Sequence, residues 1–370
     1  MPAIPLAWSE AQRLHDPAAE IWVGVRTPAV EVSARADAIR LSLEQAGHPV
    51  VSATPPAERA LLAVHDRTLI DFLAGAWDRW ERSGLPQDPG QDRVVPYFFP
   101  HPGLLGTLAP ALPVATWART GQFAFDTMTL IGPGTWEAAL GAAGAALTAT
   151  ELVLDGAPAA YACCRPPGHH VTRSAYGGCC YLNNGAIAAA RLLEQLGGPV
   201  ALLDVDAHHG NGAQTIFYGC AEVVTGSVHV DPGAGWFPHF LGFADEHGEG
   251  EGEGANCNIV LAPGSGDVPW LGAVDELVDW ARGCAPRALV IALGVDAAAG
   301  DPESPLRVTA GGLRAGCREL GALGLPSVVV QEGGYDLATI GPLVRAALEG
   351  LDDGLAAAAA ATRGSELAHG

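Results

Sequence analysis

Three short apolar runs, each ending in a burst of polar residues, set the tightest limit on what this chain can fold into. Val200 to Leu203 leads into LLDVDAHHGNG (Leu202 to Gly212), Ala288 to Leu293 into LGVDAAAGDPE (Leu293 to Glu303), and Ser327 to Val330 into VQEGGYD (Val330 to Asp336). Runs of this length and composition read as buried strands. The segments between them, such as Val274 to Ala281 and Leu313 to Leu323, carry the three- and four-residue apolar spacing of helices. Strand alternating with helix is the pattern of a parallel sheet joined by right-handed crossovers. The expected fold is therefore α/β, a three-layer open, mainly parallel β-sheet flanked by helices. In such sheets ligands bind beyond the carboxyl ends of the strands, so the three polar endings are expected to converge on one cleft.

The rest of the chain fits that plan. Helical spacing recurs around Ala38 to Ala46 and Ala60 to Trp80, and again over Thr135 to Leu154 and Tyr181 to Leu196. A single domain over 1–370 is expected, because open α/β sheets often grow to this size around one core. Between about 84 and 121 the composition turns to Pro, Gly and mixed aromatics, which reads as a long loop insertion with work to do at a site or an oligomer contact. The tail over about 356–370, beginning in an Ala run, reads as a final helix or a frayed end.

Composition narrows the function. With 41 acidic against 20 basic residues the formal charge is -21, which repels nucleic-acid phosphates and favours a small cationic partner. The 49% hydrophobic and 16% charged content excludes a disordered chain. Eight cysteines occur as the pairs Cys163-Cys164 and Cys179-Cys180 and four singles, without CxxC spacing, and read as reduced thiols. The N-terminus has no basic stretch followed by an apolar one, and no apolar run nears the ~20 residues of a membrane span, so a cytoplasmic protein with no membrane partner is expected.

Chemistry collects in the polar endings. Asp206 and His208, two apart beyond a strand, face the same side of an extended backbone as metal ligands from one segment must. Asp296 completes an Asp/His/Asp set that leaves positions open for water and a substrate oxygen, as a catalytic rather than a structural metal site does. His169 and His170 in RPPGHH follow two prolines and a glycine that stiffen the turn, and paired rigid histidines suit acid/base work near neutral pH. Each needs an acceptor to fix its tautomer, and Asp204 and Asn211 flank the ligand segment as candidates. Tyr335 follows Gly333-Gly334, whose lack of side chains lets the backbone approach a ligand, and its hydroxyl is placed to donate to an oxyanion.

Taken together, RPPGHH, GGCCYLNN, LLDVDAHHGNG, PHFLGFADE, LGVDAAAGDPE and QEGGYD resemble the successive motifs of the histone deacetylase superfamily, with its arginase/deacetylase fold, and within it the bacterial acetylpolyamine amidohydrolase-like branch. The resemblance runs from about Phe123 to Leu348, with a weaker echo in the N-terminal helices. It implies that Asp206, His208 and Asp296 bind zinc (or ferrous iron), that the metal and His170 activate a water, and that Tyr335 and the metal stabilise the oxyanion. It further implies that Asp204 supports His169, that Asn211 orients His170, and that a structural potassium ion lies against Asp204, Asp206, His208, Ser227 and Val228. The substrate tunnel falls to Gly178, Cys179, Phe237, Glu303 and Gly333. Cys179 stands where relatives usually carry an aromatic wall opposite Phe237, which implies a tunnel wider on one side. Glu303 borders the mouth, where a carboxylate attracts a second ammonium group.

The function expected from these residues is metal-dependent removal of acetyl or other short acyl groups from amines, acetylated polyamines first. The alternative is a protein acetyl-lysine deacylase, and the remote alternative is a catalytically silent metal-dependent binding protein. An arginase-like enzyme would require a second adjacent metal with more Asp and His ligands. The 84–121 loop favours the small-amine reading, either by narrowing the mouth or as the contact of a homodimer.

Overall fold

The structure, a computed structural model, describes residues 3–85, 87 and 92–369. Its strands are β1 (Leu6–Trp8), β2 (Glu20–Trp22), β3 (Val25–Thr27), β4 (Val50–Ser52), β5 (Ala159–Ala162), β6 (Val200–Asp204), β7 (Val223–Val230), β8 (Asn256–Leu261), β9 (Ala288–Leu293) and β10 (Ser327–Gln331). Eight of them form one sheet in the order β4-β1-β5-β10-β9-β6-β7-β8, with every neighbouring pair parallel. β2 and β3 make a separate antiparallel hairpin.

The helices are α1 (Ala34–Gln45), α2 (Glu58–Leu62), α3 (Arg67–Arg82), α4 (Pro102–Leu105), α5 (Thr116–Phe123), α6 (Thr135–Leu154), α7 (Asn184–Leu196), α8 (Asn211–Phe217), α9 (Asp267–Gly283), α10 (Ala310–Gly321) and α11 (Ile340–His369). Alternate side chains of a strand point to opposite faces, and here the two faces feed two cores. Val200, Leu202, Val290 and Val330 pack with α6 and α7, while Ala201, Leu203, Ile291 and Val329 pack with α1, α9, α10 and α11. Central strands buried on both faces have no polar alternation, which is why β6, β9 and β10 are continuous apolar runs.

Several elements differ from the sequence expectation. The 84–121 insertion is not wholly loop: α4 lies within it, α5 begins in it, and Val94 bridges to Ile131. Pro102 at the start of α4 is preset for a first helical turn, and His101 accepts from Gly103 N at 3.0 Å, so a Pro/Gly-rich stretch can still hold a short helix. Residues 86 and 88–91 of that insertion lie outside the described residues. The Ala-rich tail continues α11 as far as His369, as Ala propensity favours. Thr135–Leu154 is, by length and composition, apolar enough to cross a membrane, contrary to the expectation that no such run exists. In this fold α6 instead buries Ala139, Ala142, Ala145, Ala146 and Ala149 against the sheet.

His65 links α2 to the segment before α7. Its Nδ1 lies 3.0 Å from the Thr172 carbonyl and its Nε2 accepts from Asn183 N at 3.0 Å, a pairing that only the neutral ring can make. Burial lowers its pKa to about 4, with the Thr172 carbonyl partly opposing, and His15 and His229 are likewise lowered to about 4 by burial. The unfolded chain takes up these protons near pH ~6.5 while the folded chain does not, so stability is lost as pH falls from about 6.5 to about 4. Replacing His65 with Gln is expected to lower the pH slope of unfolding free energy in that window by about one proton, measured by urea titration at several pH values. An unchanged slope would contradict a neutral buried His65.

Candidate active site

The chain leaves β6 toward β7 on one side, but leaves β9 toward β10 on the other. That reversal makes the gap beyond β6 and β9 the switch point where open α/β sheets bind ligands. Register holds the two ends level, with Asp204 opposite Ala292 of β9 and Ser227 of β7.

Past Asp204 the backbone bends rather than running on extended, which corrects the expected route by which Asp206 and His208 share a side. The bend is made by short side-chain-to-backbone bonds of the kind that compete with regular structure. Asp204 Oδ1 accepts from Asp206 N at 3.0 Å, and Asp206 Oδ1 accepts from His208 N at 2.9 Å. Two further bonds stitch in the neighbouring strand ends. Ala207 N donates to Asp296 Oδ1 at 2.9 Å, and Gly333 N donates to Asp206 Oδ2 at 2.7 Å. Gly333 sits so close that a Cβ there would lie 2.3 Å from Asp296 Oδ2, so a side chain has no room.

One donor atom from each of Asp206, His208 and Asp296 lies within 4.8 Å of the other two. His208 Nδ1 is 3.3 Å from Asp206 Oδ1 and 3.1 Å from Asp296 Oδ2. Both carboxylates are fully buried, and burial together with the Asp206 charge raises Asp296 to about 7. Burial opposes ionisation of Asp206 too, but His169 and His208 hold it well below the usual range. Burial disfavours charge on His208 as well, yet the two carboxylates win and raise its pKa well above 6.5. A site that draws a proton onto the imidazole between two buried carboxylates is one whose charge a divalent cation compensates better, so the donor set fits a single such ion.

The histidine pair stands beside this cluster. His169 Nδ1 is 2.8 Å from Asp204 Oδ2, and His170 Nδ1 is 2.7 Å from Asn211 Oδ1, so both expected partners are in place. Their rings are 3.9 Å apart between centroids. Burial lowers the pKa of His169, but Asp204 and Asp206 outweigh it and raise it to about 10. Burial, His169 and His208 together push His170 well below 6.5. Two adjacent imidazoles are thus set to opposite protonation states near neutral pH.

His170, His208 and Tyr335 open into a cavity of about 240 Å³, which Gly178, Cys179, Phe237 and Glu303 also line. Phe237 meets the His170 ring edge-on at 4.7 Å and stacks 6.1 Å from Phe125. Gly178, at φ 60°, packs under His170 with no space for a Cβ, while Cys179 N donates to Thr129 Oγ1 at 2.9 Å. Glu303 is half-buried, and burial raises its carboxyl pKa. Ser227 and Val228 do not line the cavity. Ser227 Oγ pairs with His229 Nδ1 at 2.8 Å, and the Val228 side chain is buried in the hydrophobic core.

Other contributors left no signal in the sequence pattern. Buried Arg35 of α1 donates to the carbonyls of Gly334 at 2.5 Å and Glu332 at 2.7 Å, with its guanidinium 4.5 Å above the Tyr335 ring. Glu31 accepts from both Arg35 and Arg165, tying the helix to the RPPGHH turn. Asp301 Oδ2 accepts from Tyr335 N at 2.7 Å, and Glu332 Oε2 accepts from Gly168 N and His169 N at 2.6 and 3.1 Å. The last two belong to polar endings already singled out, so their neighbourhood, though not their role, was visible. Arg35 sits 299 positions from Gly334 and was not.

Comparison with known proteins bears on the same residues. A family model described as histone deacetylase domain matches residues 29–351, a span that takes in α1 and Arg35 as well as the later motifs. Acetylpolyamine amidohydrolase 1 of Pseudomonas aeruginosa is 42% identical over 90% of this chain and 94% of its own length. The acetylpolyamine amidohydrolase of Mycoplana ramosa is 37% identical over 93% of this chain and 98% of its own. The crystal structure of an acetylpolyamine aminohydrolase from Burkholderia pseudomallei superposes with a TM-score of 0.89 at 36% identity, covering 95% of this chain and 99% of that one.

If the cluster holds a divalent ion, Asp296→Ala is expected to weaken its retention at least ~100-fold, since even outer-shell losses cost 10–100-fold. Metal content after dialysis against a competing chelator measures this. A full equivalent kept by Asp296→Ala would remove Asp296 from the ligand set.

Proposed function

The chain belongs to the histone deacetylase domain family, and from that premise we propose that it is a zinc-dependent hydrolase of acetylated polyamines and similar small cationic acetylamines. One observation carries the reading: His208 of the Asp206–His208–Asp296 cluster and His170 of the histidine pair line the same cavity, whose lining also includes the half-buried carboxylate of Glu303. Three protein ligands of mixed oxygen and nitrogen, with an open side toward the cavity, suit zinc better than a hard-oxygen metal. When bound, the ion supplies a Lewis acid for the acetyl carbonyl and makes a water more acidic.

The chain's own groups account for the proton traffic. His170 is neutral near pH 7 because burial and its two histidine neighbours disfavour its charged form. With Nδ1 committed to Asn211, its Nε2 is the basic atom that takes a proton from the attacking water. The same nitrogen then delivers that proton to the amine as the C–N bond breaks and acetate forms. His169, kept cationic by Asp204, offsets negative charge that develops next to it. Tyr335, held by Asp301 through its N–H and by Arg35 through its ring, presents its hydroxyl to the carbonyl oxygen. Potassium against Asp204, Asp206, His208, Ser227 and Val228 remains part of this proposal on the family resemblance.

Glu303 and Glu20 favour a cationic amine. Glu20 of β2 is raised to about 7, first by burial and next by the charge of Glu303, so each carboxyl senses the other's charge. A second ammonium near them relieves that repulsion. The exposed apolar side chains Tyr97, Phe98, Leu104, Leu108 and Val114 support a homodimer through the 84–121 segment.

Two variants test the assignment on a panel of acetylated polyamine, neutral acetylamine and acetyl-lysine peptide. Tyr335→Phe is expected to keep its metal and lose ~10²–10³ in rate, as for other single oxyanion donors. A near-wild-type rate would remove Tyr335 from the transition state. Glu303→Leu is expected to weaken only the cationic substrates, by about tenfold, equivalent to ~1.4 kcal/mol, and less so at high salt. Equal loss on neutral and cationic amines would remove Glu303 as selector, and faster turnover of the peptide by the unmodified enzyme would overturn the small-amine reading.

A further inference from the structure

The cavity wall opposite Gly178 and Cys179 comes from the segment after β7, which carries Trp236, Phe237 and His239. This segment is fastened at Gly242 from three directions. Its N–H lies 2.9 and 3.2 Å from the two carboxylate oxygens of Glu246, and its carbonyl accepts from His229 Nε2 at 2.7 Å. Its Cα rests on the His209 ring, where a Cβ would come within 2.6 Å of Cγ, and its φ of 100° favours glycine.

Glu246 is also anchored from behind. It accepts from Gln214 Nε2 at 2.5 Å and from Asn258 Nδ2 at 3.3 Å. The Gln214 carbonyl oxygen collects His209 Nε2, Asn256 Nδ2 and Asn258 Nδ2 at 2.9, 3.0 and 2.9 Å. His209 follows the cluster residue His208, so this network spans from the cluster's own segment to the cavity wall. Such side-chain networks restrict the geometry of their members, and here only His209 Nδ1 and Asn258 Oδ1 among the atoms of these side chains are buried without a partner.

We propose that Glu246, acting with Gln214, is a positioning residue: by clamping Gly242 it sets the place of Phe237 against His170, and so the grip on the amine chain rather than the chemical step. The amine-chain part rests on the proposed acetylamine reading, whereas the clamp itself does not.

Glu246→Gln tests both parts. Its amide presents an N–H to the Gln214 or Gly242 donor, so the clamp loses an acceptor. Hydrogen exchange over residues 233–246 is expected to quicken about tenfold, with α8 and β6 unchanged. For acetylputrescine, KM is expected to rise about fivefold with kcat altered less than about twofold and metal content unchanged. The exchanged pair Gln214→Glu/Glu246→Gln restores one donor facing one acceptor, and is expected to return both exchange and KM toward the starting values. Unchanged exchange over 233–246 in Glu246→Gln would overturn the clamp, as would an exchanged pair no better than the single variant. A loosened segment with unaltered KM would overturn its role in amine binding. If the unmodified enzyme turned over no acetylamine, the functional reading would fail while the exchange result still decided the clamp.

Discussion

Two carboxylates, Asp206 and Asp296, sit side by side where water is almost excluded, and the rest of the site is arranged around their charge. Burying one uncompensated ion costs several kcal/mol even after relaxation, so burying two demands compensation from every side. The backbone supplies part of it through the N–H groups of Ala207 and Gly333. His208 supplies more from between the two oxygens. A single divalent ion would complete the set, with His208 at the edge of the cavity. The same field orders the two neighbouring histidines. His169, next to Asp204 and Asp206, holds a proton, while His170, one residue on and bonded to a neutral amide, does not.

This centre lies where the sheet geometry puts it. Parallel strands deliver all their carboxyl ends to one edge, and the reversal between β6 and β9 leaves a gap there that no crossover fills. Much of this was legible in the sequence. Short apolar runs stopping at DVDAHHGN, GVDAAAGD and QEGGYD are what buried strands look like when their ends carry chemistry, and Asp204 and Asn211, which flank the Asp206–His208 segment, were the candidate partners of the histidine pair. What the pattern could not show was contact at long range. Arg35 lies just before the helical spacing read around Ala38 to Ala46, yet it is fully buried against Gly334 and Glu332, with its charge matched by Glu31. β1 and β4 are three residues long, and β5 is Ala-Ala-Tyr-Ala, too short or too poor in branched side chains to register as strands.

Specificity belongs to a different layer of the structure from the metal cluster. The cavity walls come from loops: the hairpin carrying Trp22, the turn with Gly178 and Cys179, and the segment with Trp236 and Phe237. Loops tolerate change more readily than the strand ends that carry the cluster, and Cys179 lies in one of these loops. The acidic composition gains local meaning here. Most of the 41 Asp and Glu residues keep the surface solvated, but Glu303 places a carboxylate in the cavity wall, where a cationic chain end would meet it.

The central claim is that one metal ion, held by Asp206, His208 and Asp296, faces the cavity shared with His170 and Tyr335. Anomalous diffraction from crystals of the zinc-loaded protein, recorded on both sides of the zinc absorption edge, tests it most directly. The account predicts one strong zinc peak bounded by those three side chains. A zinc peak elsewhere, or ligation that leaves out Asp296, would contradict it.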